Sequence, residues 1–150
     1  MTELTLEVCR REIEELHEFF VDWYAGGCDR TRFTRLEDAL ASAFQLVRPD
    51  GSSQDREAVL GWIRDAYGSR AGERFDIEVR NVEVRYRDGR KALVRYEEHQ
   101  TTPDGETSRV STVLLVAPAG SDRADADVAA GAPSLEWVDL HETWLDAPSN

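Results

Sequence analysis

The chain has 150 residues, and its 30 Asp and Glu outnumber its 18 Lys and Arg to give a formal net charge of −12. So acidic a chain is repelled by nucleic-acid phosphates and by anionic membrane surfaces, whose binding needs clustered Lys and Arg, and neither partner is expected. With 41% hydrophobic residues, four Trp, five Phe and four Tyr, it is too rich in core formers for a disordered acidic chain, and its length suits one domain over residues 1–150.

Residues 3–25 carry Cys9, Ile13, Leu16, Phe20 and Trp23 on one helical face, opposite Arg10, Arg11, Glu14, Glu15, Glu18 and Asp22. Gly26 and Gly27 follow where a left-handed cap ends a helix. A second, shorter helix is expected from Thr34, whose spacing to Glu37 matches a capping box, with Phe33, Leu36 and Leu40 on its buried side. Phe44 to Val47 reads as a short strand closed by the turn Pro49-Asp50-Gly51. Ser52 or Ser53 then caps a third helix reaching about Tyr67, with Gly68 at its end.

From Phe75 the period becomes two. Phe75, Ile77 and Val79 share one parity and Val82, Val84 and Tyr86 the other, so one residue is inserted near Arg80-Asn81, the mark of a bulge that bends a long strand. Asp88-Gly89 is a hairpin turn, Ala92 to Thr102 a strand, Asp104-Gly105 a second turn and Thr107 to Val116 the next strand, which makes a meander. Residues 117–134 are small and acidic with prolines at both ends, which predicts a mobile surface loop. Leu135 to Leu145 is the last strand.

Lys91 is the only lysine, so the other 17 of the 18 cations are arginine. A GC-rich coding bias and a host with high internal salt both account for that skew. The start Met1-Thr2-Glu3 has no signal-peptide pattern and no apolar run approaches the ~18 residues a spanning helix needs, so a cytoplasmic location without membrane contact is expected. Cys9 and Cys28 have no metal-type or C-x-x-C spacing and read as idle thiols.

Three stretches, Ile13 to Asp29 (IEELHEFFVDWYAGGCD), Gly51 to Ile63 (GSSQDREAVLGWI) and Leu135 to Trp144 (LEWVDLHETW), carry a likeness. With this order of elements, the chain resembles the nuclear transport factor 2-like superfamily, in particular its SnoaL-like branch and a neighbouring branch of unknown function. The resemblance implies an α+β cone: a strongly curved mixed or antiparallel sheet wrapped around three N-terminal helices, with a pocket between them. It also implies a homodimer through the sheet. Its members include isomerases, dehydratases, cyclases and non-catalytic assembly modules, so the fold does not name the function.

Alternation on the last strand puts Trp137, Asp139, His141 and Thr143 on one face, and the Asp139–His141 pair reads as an acid/base couple. On the strand from Ala92, Tyr96 and Glu98 continue the apolar parity of Ala92 and Val94, while Arg95, Glu97 and His99 read as an outward row. His141, Asp139, Tyr96 and Glu98 are therefore the candidate catalytic groups, each with a plain alternative as a solvated or salt-bridged strand residue. Phe20, Trp23, Tyr24, Trp62 and Trp137 are the candidate pocket lining, or simply core. His17 reads as solvated in the polar arc of the first helix. No metal-ligand spacing, glycine-rich phosphate loop or nucleophile motif occurs, so no metal or cofactor is expected. The expected function is to bind a small apolar molecule, with cofactor-free lyase or isomerase chemistry as one reading and a non-catalytic ligand-binding or dimeric assembly module as the other.

Overall fold

The computed structural model describes residues 4–118 and 135–145. The first helix, α1 (Leu6–Ala25), starts at Thr5, whose hydroxyl accepts from the Val8 N–H at 3.2 Å. It ends at Gly26, which takes the left-handed conformation (φ 71°) and donates its N–H back to Asp22 and Trp23. A Cβ at Gly26 would lie 3.2 Å from the Cα of Gly68, whose N–H bonds the Trp23 carbonyl. Two bare glycines thus let the end of α1 meet the segment that follows the third helix.

A 3-10 turn (Arg30–Phe33) leads into α2 (Thr34–Ala39). The expected Thr34–Glu37 capping box does not form: Asp29 caps the 3-10 turn through the Thr31 N–H, and the Thr34 hydroxyl bonds back to Thr31 O. Once the 3-10 turn has bent the chain, the last turn's N–H groups are already satisfied without Glu37. The strand β1 (Leu40–Val47) begins four residues earlier than the apolar run suggested. A short strand β2 (Ser53–Asp55), absent from the sequence reading, pairs with it, and Asp55 rather than Ser52 or Ser53 caps α3 (Arg56–Asp65), which stops two residues short of Tyr67. Ser52 is instead held in the turn by the Asp50 carboxylate.

Four long strands follow: β3 (Asp76–Asp88), β4 (Lys91–Thr102), β5 (Gly105–Val116) and β6 (Glu136–Trp144). The six-stranded sheet runs β2-β1-β6-β5-β4-β3, parallel between β1 and β6 and antiparallel elsewhere. It is the expected α+β cone with a mixed, unclosed sheet. The bulge expected near Arg80-Asn81 is present, with an extra residue between the Arg80 and Glu83 pairings and Asn81 at φ 55°. A second irregularity between Val84 and Tyr86 breaks the parity that grouped Tyr86 with Val82 and Val84, and Tyr86 stands exposed.

The core fills the hollow of the sheet. Leu16, Phe19 and Trp23 of α1, Leu36 of α2, Leu60 and Ile63 of α3, and Val94, Val113 and Leu115 of the strands are all buried. At about 1.5–3 kcal/mol for each fully buried large apolar side chain, this set holds the helices against the sheet. The loop expected over 117–134 lies outside the described residues beyond Pro118. Its root is tied down: Ala117 N–H donates to Arg90 O at 2.8 Å and an Arg90 guanidinium N–H donates to Pro118 O at 2.9 Å. Among the described residues no helix is long and apolar enough to cross a membrane.

Candidate functional site

The curved sheet and the helices frame a cavity of ≈ 110 Å³. One side is apolar, from Leu16 and Phe20 of α1, Phe44 and Leu46 of β1, and Val59 and Ile63 of α3. The other side is polar. It exists because the inner face of β4 runs Ala92, Val94, Tyr96, Glu98, the β5 ladder pairs Tyr96 with Ser111 and Glu98 with Arg109, and β6 adds Glu142 beside Ser111.

His17 closes this wall from α1. It is buried, in correction of the solvated place expected for it, because the sheet wraps α1 on a wider arc than the apolar stripe alone marks. Its Nδ1 lies 2.7 Å from the Ile13 carbonyl, which can only accept, so Nδ1 carries a proton. Its Nε2 lies 3.2 Å from Glu98 Oε1, and Glu98 Oε2 accepts from Gln100 Nε2 at 2.6 Å. Burial alone would raise the Glu98 carboxyl, but the charge and hydrogen bond of His17, with Arg109 and Gln100 behind, override it and hold the group at about 2. Burial opposes charging His17 in turn, yet Glu98 and the Ile13 carbonyl keep it above its usual value. The pair is a buried imidazolium and carboxylate.

Beside it, an Arg109 guanidinium N–H donates to Glu142 Oε1 at 2.9 Å. Burial pushes the Glu142 carboxyl up, Arg109 works against that, and the Glu98 charge adds to it. The two carboxylates of one wall are driven in opposite directions. Burial also lifts the Tyr24 hydroxyl to about 12 and the Tyr96 hydroxyl well above its ordinary value, with the Glu98 charge adding in both cases.

The structure brings Tyr96, Glu98, Phe20, Tyr24, Trp62 and Trp137 to the cavity and leaves Asp139, His141 and Trp23 off it. Asp139 and His141 lie on the outer face of the sheet with Leu93, Arg95, Val110, Thr112 and Leu114. Strict alternation would have kept them beside Trp137, but the ladder pairs Leu115 with Trp137 and Leu114 with Asp139, so Val138 is an extra residue. That bulge turns Trp137, Leu140 and Glu142 inward and sends Asp139 and His141 out. Trp23 is core: its indole N–H donates to Ile63 O at 2.7 Å and its ring packs on Phe19, Phe33 and Tyr67. Trp137 is fixed by a 2.9 Å bond from its indole N–H to the buried Glu12, which Arg35 also holds at 3.1 Å. Trp62 stands at the mouth with the Arg48 guanidinium 4.5 Å above its ring.

His17, Arg109, Gln100 and Glu142 were missed by sequence reasoning. A signal existed for His17, which follows Ile13 by four and precedes Phe20 by three, at the edge of the apolar stripe. Glu142 had none, because a single inserted residue decides its face. Among the described residues no group of three or more His, Cys, Asp or Glu is set to hold a metal.

Three helices against a six-stranded, mixed and unclosed sheet in an α+β cone define the class of protein, and the comparisons agree. No family model matches the chain and no curated protein matches it. Among solved structures, a nuclear transport factor 2-like protein of unknown function from Pseudomonas aeruginosa has a TM-score of 0.78 at 28% identity, covering 93% of this chain and 99% of its own. The beta subunit of the benzoate 1,2-dioxygenase from Burkholderia mallei has a TM-score of 0.69 at 12% identity, over 99% and 98% of the two chains. The S. rosetta CaMKII hub has a TM-score of 0.66 at 14% identity, over 96% and 99%. The chain belongs to the nuclear transport factor 2-like superfamily.

Proposed function

We propose that the cavity binds a small, mostly apolar molecule and that its polar wall carries out cofactor-free proton transfer of the lyase or isomerase kind. One observation carries the reading: two buried carboxyls of a single wall, Glu98 held down at about 2 and Glu142 pushed up by burial. Groups driven apart in this way divide the work of acid and base. Glu142 is the carboxyl that exchanges a proton, and the His17–Glu98 ion pair is the fixed field in which it does so. Tyr96, whose hydroxyl is buried at the cavity, is the hydrogen-bond donor to the bound molecule. Asp139 and His141, on the far side of the sheet, have no part in this scheme.

The four indole N–H groups make the test internal. Titration with small neutral aromatic compounds, followed by NMR, shifts the indole signals of Trp62 and Trp137 at the cavity and leaves that of Trp23 in place. Glu142→Gln keeps the binding and slows exchange of the ligand's acidic C–H with deuterium oxide at least tenfold. Compounds that shift no cavity indole, or a Glu142→Gln variant with undiminished exchange, defeat the reading.

A second reading concerns assembly, and the outer face of the sheet supports it. There Leu93, Val110 and Leu114 lie among Arg95, Asp139 and His141, an apolar centre between groups of opposite charge. Such a face suits a two-fold contact with a second copy of the chain. A hub and a subunit are among the structural neighbours. Assembly through this face is independent of the cavity and does not compete with ligand binding.

A further inference from the structure

The mouth of the cavity carries a cation that the polar wall does not use. Phe44, Leu46 and Arg48 continue one inward parity of β1, so the last of them to face the cavity, just past the strand, is charged where those before it are apolar. Its backbone is fixed on both sides. The Arg48 N–H donates to Ser52 O and the Arg48 carbonyl accepts from the Gly51 N–H, each at 2.8 Å. The turn's own acid, Asp50, is exposed and gives one carboxylate oxygen to Ser52. The side chain is placed by α3, where the guanidinium carbon lies 4.5 Å from the centre of the Trp62 ring. A ring face attracts the charge without supplying an oxygen, and a guanidinium has five N–H donors. Among the described residues no carboxylate pairs with Arg48 and no oxygen accepts from its guanidinium.

The other charges of the cavity cancel in pairs. His17 stands against Glu98 and Arg109 against Glu142, each pair in contact. Arg48 is therefore a surplus positive charge, and the surplus grows whenever Glu142 holds a proton. Its sign is opposite to the chain's own −12. Contact decides between the two, because exposed charges more than about 8 Å away are largely screened at physiological salt. Position matters as well. An ion set deep against the wall would lose all its water, whereas Arg48 is half-buried and Trp62 is 42% exposed, so an anion at the mouth keeps part of its hydration and gains a cation.

We infer that Arg48 anchors a carboxylate, so that the cavity's ligand is an amphipathic monocarboxylic acid with its apolar body against Phe20, Phe44 and Val59 and its charged head at the mouth. The inference rests on the cavity being a ligand site, as proposed above. It adds what that reading leaves open, which is the chemical class of the ligand and the end of it that faces out. A carboxylate fits a guanidinium by two parallel N–H···O bonds, an amide offers one neutral oxygen, and an ammonium is repelled.

The test uses three probes of nearly one size: phenylacetate, phenylacetamide and phenethylammonium. Each is titrated into the full chain at pH 7, with the Trp137 indole N–H and the Arg48 Nε–H followed by NMR. Phenylacetate is expected to bind about tenfold more tightly than phenylacetamide, the worth of exchanging a neutral contact for a charge-assisted, bidentate one at a half-exposed site. Phenethylammonium is expected to bind more weakly than either. The Arg48 Nε–H signal moves with phenylacetate, and the Trp137 indole moves with both acid and amide. Arg48→Met keeps an unbranched stem beside Trp62 and brings phenylacetate down to the level of phenylacetamide, whose own affinity is unchanged. Arg48→Lys, with a charge but no planar fork, restores part of the gap.

Phenylacetamide or phenethylammonium binding the wild type as well as phenylacetate overturns the anchor while leaving the cavity a binding site. A gap between acid and amide that survives in Arg48→Met, or an Arg48→Lys chain no better than Arg48→Met, overturns it too. If no probe moves the Trp137 indole, the underlying reading falls and the anchor with it. Should Arg48→Met fail to fold, the wild-type guanidinium decides: an Arg48 Nε–H signal that stays in place while phenylacetate saturates the Trp137 shift overturns the anchor.

Discussion

Removing His17 from the wall tests the buried ion pair directly. In His17→Leu, Glu98 keeps Gln100 Nε2 on one oxygen and loses the imidazolium on the other, while Arg109 stays committed to Glu142. Breaking one side of a buried pair costs about 3–5 kcal/mol, because the charge left behind is neither hydrated nor matched. The carboxyl gives a similar figure: a Glu held at about 2 rather than 4.5 contributes about 3 kcal/mol to the folded state. For a chain of this size that is a melting temperature lower by on the order of 10 °C.

The pH dependence carries the sharper signature. Glu98 titrates lower in the folded chain than in the unfolded one, so its contribution is complete above pH 4.5 and drains away as the pH falls toward about 2. His17 is raised, so its contribution is complete below pH 6.5 and drains away as the pH rises through its folded value. In the wild type this pair therefore stabilises most between about pH 4.5 and 6.5. In His17→Leu the unpaired, buried carboxyl binds its proton more readily than an exposed Glu. As the pH falls from 6 to 4 the variant loses less than the wild type, and the gap narrows. Urea unfolding at pH 4, 6 and 8 measures it. A loss under about 1 kcal/mol at pH 6, or a gap that stays constant from pH 6 to pH 4, would refute a buried ion pair. Glu98→Gln is the milder control, since its amide can still donate to a neutral His17 and accept from Gln100.

Gly26→Ala forces a side chain into a left-handed residue and against the Gly68 backbone, so chemical denaturation should record a loss of about 1–3 kcal/mol; a change within 0.5 kcal/mol would show that the two segments part without cost. Leu114→Lys, on the outer face, should convert a dimer to monomer in sedimentation while the cavity indoles still respond to ligand; a wild type that is monomeric at high concentration removes the assembly reading. Molar KCl should raise the melting temperature if the −12 charge is a high-salt adaptation, and a flat or falling response leaves coding bias as its cause.

The elements were legible from sequence because their signals are local. The apolar spacing of α1, the glycine that stops it, the parity change at Arg80-Asn81 and the hairpin turns at Asp88-Gly89 and Asp104-Gly105 depend only on neighbours a few residues away, and each appears where periodicity puts it. Tyr96 and Glu98 reached the cavity side for the same reason, as the continuation of the buried parity of Ala92 and Val94.

Only the tertiary structure decided which ionisable groups share a wall. Register is a property of two strands, and an extra residue at Val138 reverses every later side chain of β6, exchanging Asp139 and His141 for Glu142. His17 became a buried cation because a curved sheet closes over α1 and sets Glu98, 81 residues further along the chain, 3.2 Å from its ring. Whether a charged residue faces water or another charge depends on what folds over it, and that is settled by contacts distant in the chain.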